Sequence, residues 1–242
     1  MILSSHEFTA VYYNIRRIKK LSIPMDQNDL HSILKNHLKE QSEKWPHFIY
    51  SKEHGFYQGF DRIGIIGSRS TEKRFKEYNI ENLLSKNKNV LDIGSNCGFV
   101  SLYTSESVKN VTGIEINPFL VKISNDTKEF LNIQNIKFVC STFEEYKTGE
   151  KFDIVYSFAN DSTIDDNVMF NFGEYIQKIL FLLSPNGLLI FESQALDVLV
   201  PSEFDLKLEI LEKYFIIKEK RTVHSEYPVN VSERIFLILE KK

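Results

Sequence analysis

The run NVLDIGSNCGFVS, Asn89 to Ser101, sets an acid, two glycines and an amide within seven residues: Asp92, Gly94, Asn96 and Gly98. A turn of this kind lets backbone N–H groups approach a ligand, and adenosine-bearing cofactors use such turns. The spacing restricts the choice. The final interval does not fit the dinucleotide fingerprint G-x-G-x-x-G, and the phosphate loop G-x-x-x-x-G-K-[ST] is absent. Asn96 stands between the two glycines, and Asn is among the few residues that tolerate positive φ. A second acid, Glu115, follows Asp92 by 23 residues. A carboxylate there can accept hydrogen bonds from both hydroxyls of a ribose, in charge-assisted bonds roughly twice as strong as neutral ones.

These residues need strands to hold them. Residues 89–93, 110–116, 136–140, 152–159 and 188–192 read as short buried strands, with helices expected after the first, second and fourth. Pro118 suits the first turn of a helix running to about Leu131. Asn171 and Glu174 form a capping-box pair ahead of apolar residues at helical spacing, and SPNG at 184–187 supplies a turn. Strand–helix alternation predicts a parallel sheet covered on both faces. Residues 214–223 and 233–241 are strand-like and lie too close for a crossover helix, so they should pair antiparallel. The expected fold is α/β: a Rossmann-like, mostly parallel seven-stranded sheet with an antiparallel terminal hairpin. Before it, Phe8, Val11, Tyr12, Ile15 and Ile18 mark one helix face, and Leu30, Ile33, Leu34 and Leu38 another. Residues 1–84 are read as a helical extension with a covering segment, and 85–242 as the cofactor-binding domain.

The 242 residues carry a formal net charge of −3, so no global basic field attracts nucleic acid. The charge is uneven. Residues 1–88 hold 15 Lys/Arg against 10 Asp/Glu; residues 89–242 hold 15 against 23. The start lacks the apolar core of a signal peptide, and no run approaches the ~20 apolar residues of a membrane helix. A reducing cytoplasm is the expected location. The two cysteines, Cys97 and Cys140, make no disulfide framework. No metal-ligand set is read.

The loop D-x-G-x-N-x-G resembles motif I of the class I S-adenosylmethionine (SAM) methyltransferases, usually D/E-x-G-x-G-x-G. The resemblance covers about residues 85–242. It implies SAM as cofactor and S-adenosylhomocysteine as product. The loop residues Gly94, Ser95, Asn96, Cys97 and Gly98 would then cradle the cofactor, Asp92 would orient its methionine end, and Glu115 with Ile116 would meet the ribose. After the third strand, Ser141 or Thr142 would meet the adenine amino group, with Phe143 as a wall. The family's motif IV falls on SFAND, so Phe158, Asn160 and Asp161 would face the methyl group and the acceptor. In the family's strand order the first and third strands lie two apart, about 9–10 Å at ~4.8 Å per strand, which predicts free thiols at Cys97 and Cys140.

Methyl transfer needs an acceptor held in line, and a hydroxyl acceptor profits from a general base. Asp161, Glu192, His224 and His54 are the candidates. The stretch GSRSTEKR is similar to a G-x-R-x-T-x-x-R stretch in some small-molecule and sugar-modifying members. Arg69 is therefore assigned to the methionine carboxylate or an acidic substrate, and Tyr57, Gln58, Arg62 and Arg74 to the substrate pocket. SFANDSTIDDN resembles a stretch in members found with surface-polysaccharide genes. The expected reaction is O-methylation of a sugar, a phosphorylated small molecule or a polysaccharide precursor, by a monomer or homodimer. RNA is the alternative acceptor, although the acidic catalytic half opposes it; a non-catalytic SAM-binding subunit is the other alternative.

Overall fold

The computed structural model describes residues 25–46, 51, 55–162, 169–228 and 230–242. The helix read over Phe8–Ile18 and the candidate base His54 lie outside the described residues. One seven-stranded sheet carries the molecule. Its strands are β3 (Asn89–Ile93), β4 (Asn110–Glu115), β5 (Ile136–Cys140), β6 (Phe152–Phe158), β7 (Leu183–Glu192), β8 (Phe215–His224) and β9 (Glu233–Lys241), in the order β5-β4-β3-β6-β7-β9-β8. All pairs through β7 are parallel; β9 pairs antiparallel with both β7 and β8. The expected parallel sheet and antiparallel hairpin are both present. The chain order reverses between β3 and β6, so a cleft opens at the carboxyl ends of those strands.

Period-two alternation feeds two cores. Val90, Ile154, Ile190 and Phe236 join one apolar cluster, while their neighbours Leu91, Val155, Leu189 and Leu237 join the other. The first cluster takes in α3 (Phe99–Ser105) and α4 (Pro118–Phe130), and the second takes in α5 (Phe172–Leu182) and α7 (Pro201–Tyr214). The Asn171–Glu174 capping box at the start of α5 is present as read. SPNG departs from the reading. It lies inside β7, where the register with β6 jumps from Phe152↔Leu183 to Ile154↔Leu188 and the turn chemistry makes a bulge. The short α6 (Ala195–Leu199) and α7 were not read as helices.

Ahead of the sheet, α1 (Gln27–Lys44) packs its buried Leu30, Leu34 and Leu38 into the same cluster as the first sheet face. Two four-residue strands follow, β1 (Phe56–Gly59) and β2 (Gly67–Ser70), paired parallel, and then α2 (Thr71–Tyr78). No helix among the described residues is long and apolar enough to cross a membrane.

Candidate active site

The loop after β3 takes the left-handed backbone that its residues allow: φ is +65° at Gly94, +53° at Asn96 and +74° at Gly98. At Gly94 a side chain has no room either, since a Cβ would stand 2.9 Å from the Asn160 amide nitrogen. Glu115 ties the loop to β4. Its Oε2 accepts the Asn96 N–H and its Oε1 the Asn117 N–H, each at 2.8 Å. Beneath the loop, Asp92 accepts the Ser101 hydroxyl at 2.5 Å, and burial lifts its pKa to about 6.

The segment before the sheet staples this loop, which the sequence did not announce. Ser51 donates to the Asn96 side-chain oxygen at 3.0 Å. Gln58 donates to the Ser95 carbonyl at 3.2 Å and accepts the Phe99 N–H at 3.0 Å, capping α3 where Gly98 offers no side chain. Gln41 of α1 donates to the Ser51 carbonyl at 2.5 Å and accepts from Asn117 at 2.9 Å.

Asp92, Gly94, Asn96, Glu115, Ile116, Thr142, Phe143, Phe158 and Asn160 all line the cleft, as does Ser141. Ser95, Cys97 and Gly98 do not; they form the buried back of the loop, and burial pushes the Cys97 thiol up to about 12. Both cysteines are free, as expected. Asn160 is fixed from three sides. Its amide nitrogen donates to the Ile93 carbonyl, and its oxygen accepts from Ser157 at 3.0 Å and from Tyr175 at 2.8 Å. Ala159 beside it holds φ at +57°, a strained value for alanine.

Several candidates fall elsewhere. Glu192, fully buried, accepts Arg69 at 2.6 Å, Arg74 at 3.1 Å and the Tyr78 hydroxyl at 2.5 Å. Although burial opposes its ionisation, the two guanidiniums hold its pKa at about 2. A carboxylate so engaged takes no proton from a substrate, so Glu192 is not a base. Arg69 is spent on the same pair and does not line the cleft. Arg62 pairs with Glu106 on the surface. His224 is exposed and off the cleft. Asp161, expected to face the acceptor, does not line the cleft; it is buried, takes Lys207 on Oδ2 at 2.5 Å and has no partner on Oδ1 among the described residues. Of the substrate candidates, Tyr57, Gln58 and Arg74 line the cleft. The sequence reading missed Gln194, Tyr227 and Arg234, which line it too.

A family profile described as a methyltransferase domain matches residues 84–227. The chain is 33% identical over 99 residues to a protein named an uncharacterized RNA methyltransferase from Mycoplasma mobile, covering 39% of this chain and 27% of that one. It is 35% identical over 72 residues to the release factor glutamine methyltransferase of Fusobacterium nucleatum, covering 28% and 20%. The chain spans well under half the length of the curated relatives it matches. The N-methyltransferase NodS of Bradyrhizobium japonicum, solved with S-adenosyl-L-homocysteine, shares the fold at a TM-score of 0.55 and 16% identity, over 70% of this chain and 86% of its own. Sheet order, loop geometry and family match agree, and the chain belongs to the class I SAM-dependent methyltransferases.

Proposed function

We propose that this methyltransferase acts on a hydroxyl of a small, sugar-like acceptor. The observation that carries the reading is the cover over the acceptor side of the cleft. Tyr57 from β1 and Tyr227 from the terminal hairpin both line it, and their rings meet edge to face at 5.5 Å. A cleft narrowed by two aromatic rings suits a compact acceptor better than a polymer.

The residues present fit SAM. Gly94 presents bare backbone to the cleft, Glu115 offers a carboxylate to the ribose, and Thr142 and Phe143 flank the adenine side. When bound, SAM supplies a sulfonium-borne methyl group as the electrophile. The chain's own contribution is placement: Asn160 is locked by Ile93, Ser157 and Tyr175, so the acceptor meets a rigid wall. Asp161 follows Asn160 in the chain, just behind the cleft lining, with one oxygen unpartnered among the described residues; burial raises its pKa, which makes it a better proton acceptor than an exposed aspartate once a side-chain turn brings it to the acceptor. Asp161→Asn should cut turnover about a hundredfold or more while SAM affinity holds. Wild-type turnover in that variant would remove Asp161 from the mechanism.

The acceptor class is tested with radiolabelled SAM in cell extract, fractionated by size. Label in the small-molecule fraction is expected. A second reading, RNA, is favoured by the name of the Mycoplasma mobile relative and by the excess of Lys/Arg in residues 1–88. It requires label in RNA and affinity that falls steeply with salt. A cytoplasmic setting is part of the proposal.

A further inference from the structure

Three guanidiniums gather at one end of the cleft with a single carboxylate among them. Arg69 and Arg74 hold Glu192, and Arg234 at the start of β9 lies within electrostatic reach of Glu192 and Arg69. All four are buried: Arg69 is 1% exposed, Arg74 6%, Arg234 3% and Glu192 0%. The phenol of Tyr78 is kept neutral by burial. The neighbouring Glu226 is paired with Lys73 at the surface and offsets nothing. The next carboxylate, Asp92 of β3, lies within electrostatic reach of Arg74 and offsets part of its charge. Three guanidiniums against Glu192, with Asp92 acting on Arg74 alone, leave the buried cluster with net positive charge. Such buried charge is costly without a counter-ion.

Arg234 points to where the counter-ion belongs. Its Nη1 and Nη2 donate to the carbonyls of Glu233 and Tyr227, at 3.0 and 2.8 Å, which fixes the fork but cancels no charge. Its Nε is buried and has no partner among the described residues. Arg74 lines the same cleft, and its Nη1 makes no hydrogen bond among the described residues. Strand order sets Arg234 apart from the cofactor residues. Glu115 and Asp92 belong to β4 and β3, on one side of β6; Arg234 belongs to β9, two strands beyond β6 on the other side. Because β9 runs antiparallel, its start lies at the ligand end of the sheet.

We propose that Arg234 and Arg74 form an anion subsite for the acceptor, and that the acceptor carries a phosphate monoester. A dianion of about −1.5 to −2 neutralises more of that positive charge than a single carboxylate does. The proposal rests on the methyltransferase reading of the cleft and deepens its substrate class.

The test is calorimetry of the full chain loaded with S-adenosylhomocysteine, titrated with inorganic phosphate and with acetate at fixed ionic strength. Phosphate should bind about tenfold or more tightly than acetate, the equivalent of about 1.4 kcal/mol. In Arg234→Gln phosphate affinity should fall at least about tenfold, while S-adenosylhomocysteine affinity stays within about threefold. Arg234→Lys keeps the charge and loses the fork, so it should sit between the two; it also serves if the Gln variant fails to fold by circular dichroism. Equal binding of phosphate and acetate overturns the proposal, as does unchanged phosphate affinity in the variants. A drop in S-adenosylhomocysteine affinity in the folded variants assigns the arginine to the cofactor's own carboxylate and also overturns it. Phosphate binding to a wild-type chain that takes no S-adenosylhomocysteine would sink the methyltransferase reading and leave the subsite standing.

Discussion

Arg69 and Glu192 lie 123 positions apart in the chain and meet 2.6 Å apart, both out of contact with solvent. The contact joins β2, in the segment before the sheet, to the end of β7. Arg74 and Tyr78 from α2 converge on the same carboxylate. The early segment is thus bolted to the acceptor side of the cleft by charge and to the cofactor loop by Ser51 and Gln58. Removing one partner of such a buried set leaves the others uncompensated.

Glu192→Gln should therefore destabilise the protein by about 3–5 kcal/mol. At ~2–4 °C per kcal/mol for a chain of this size, the melting temperature should fall by roughly 10 °C. The pH dependence has a definite sign. The folded pKa of Glu192, about 2, lies below its ordinary 4.5. Its stabilisation is full above pH 4.5 and is lost as pH falls towards 2. Acid melts of the wild type should show that loss, and Glu192→Gln should lack most of it.

Asp92 runs the other way. Its folded pKa, about 6, lies above its ordinary 3.8, so burial favours the protonated form. Asp92 costs the fold nothing below pH 3.8 and progressively more as pH rises through 6. If its carboxylate meets the ammonium of the SAM methionine, binding must release that proton. SAM affinity should then drop by up to about tenfold per pH unit below 6. Calorimetry of wild type and Asp92→Asn between pH 5 and 8 checks this; a wild-type affinity flat across that range would separate Asp92 from the cofactor.

The sheet and the loop that lines the cleft were legible because their signals are local. Buried strands declare themselves by apolar runs, and D-x-G-x-N-x-G carries its own backbone geometry. The acceptor half was not, because its residues meet only in three dimensions. Glu192 ends a strand and looks like a free acid until Arg69 and Arg74 arrive from the other end of the sequence. Arg234 stands in an alternating strand and reads as an exposed charge, yet is 3% exposed. The pairing of β1 with β2 rests on Gly67, where a Cβ would stand 2.3 Å from the Gln58 backbone, a constraint that periodicity does not encode. Helix α7 escaped because only Phe204 and Leu211 along it are buried while Leu206 faces solvent, which blurs the apolar stripe.

Backbone geometry at the cofactor loop separates two substitutions that sequence alone would rank as equals. Asn96→Gly keeps the positive φ and loses the side-chain oxygen that accepts from Ser51 and from the Cys97 N–H, so its SAM affinity should change by no more than about thirtyfold, at ~0.5–1.5 kcal/mol for each hydrogen bond. Gly94→Ala must strain at φ +65° and push against Asn160. It should lose SAM binding by about a hundredfold or more, consistent with 1–3 kcal/mol of strain plus the displaced wall. Similar affinities in the two variants would show that the loop adjusts freely.

The two thiols should differ sharply in reactivity. Cys97 is fully buried behind the loop, beside Ser51 at 3.6 Å, and its pKa is pushed up to about 12. Almost no thiolate forms there at neutral pH, and the thiolate is the reactive species. Cys140 ends β5 in the open, with its thiol 3.5 Å from the Ile116 carbonyl. A disulfide reagent added to the native protein should modify one thiol within minutes and the second only after unfolding in urea. Because Ile116 and its neighbour Glu115 line the cleft, saturating SAM should also slow modification of Cys140. Two fast thiols in the native state would mean that the cofactor loop opens on the timescale of the reagent, and the stapling by Ser51 and Gln58 would then be too weak to hold it.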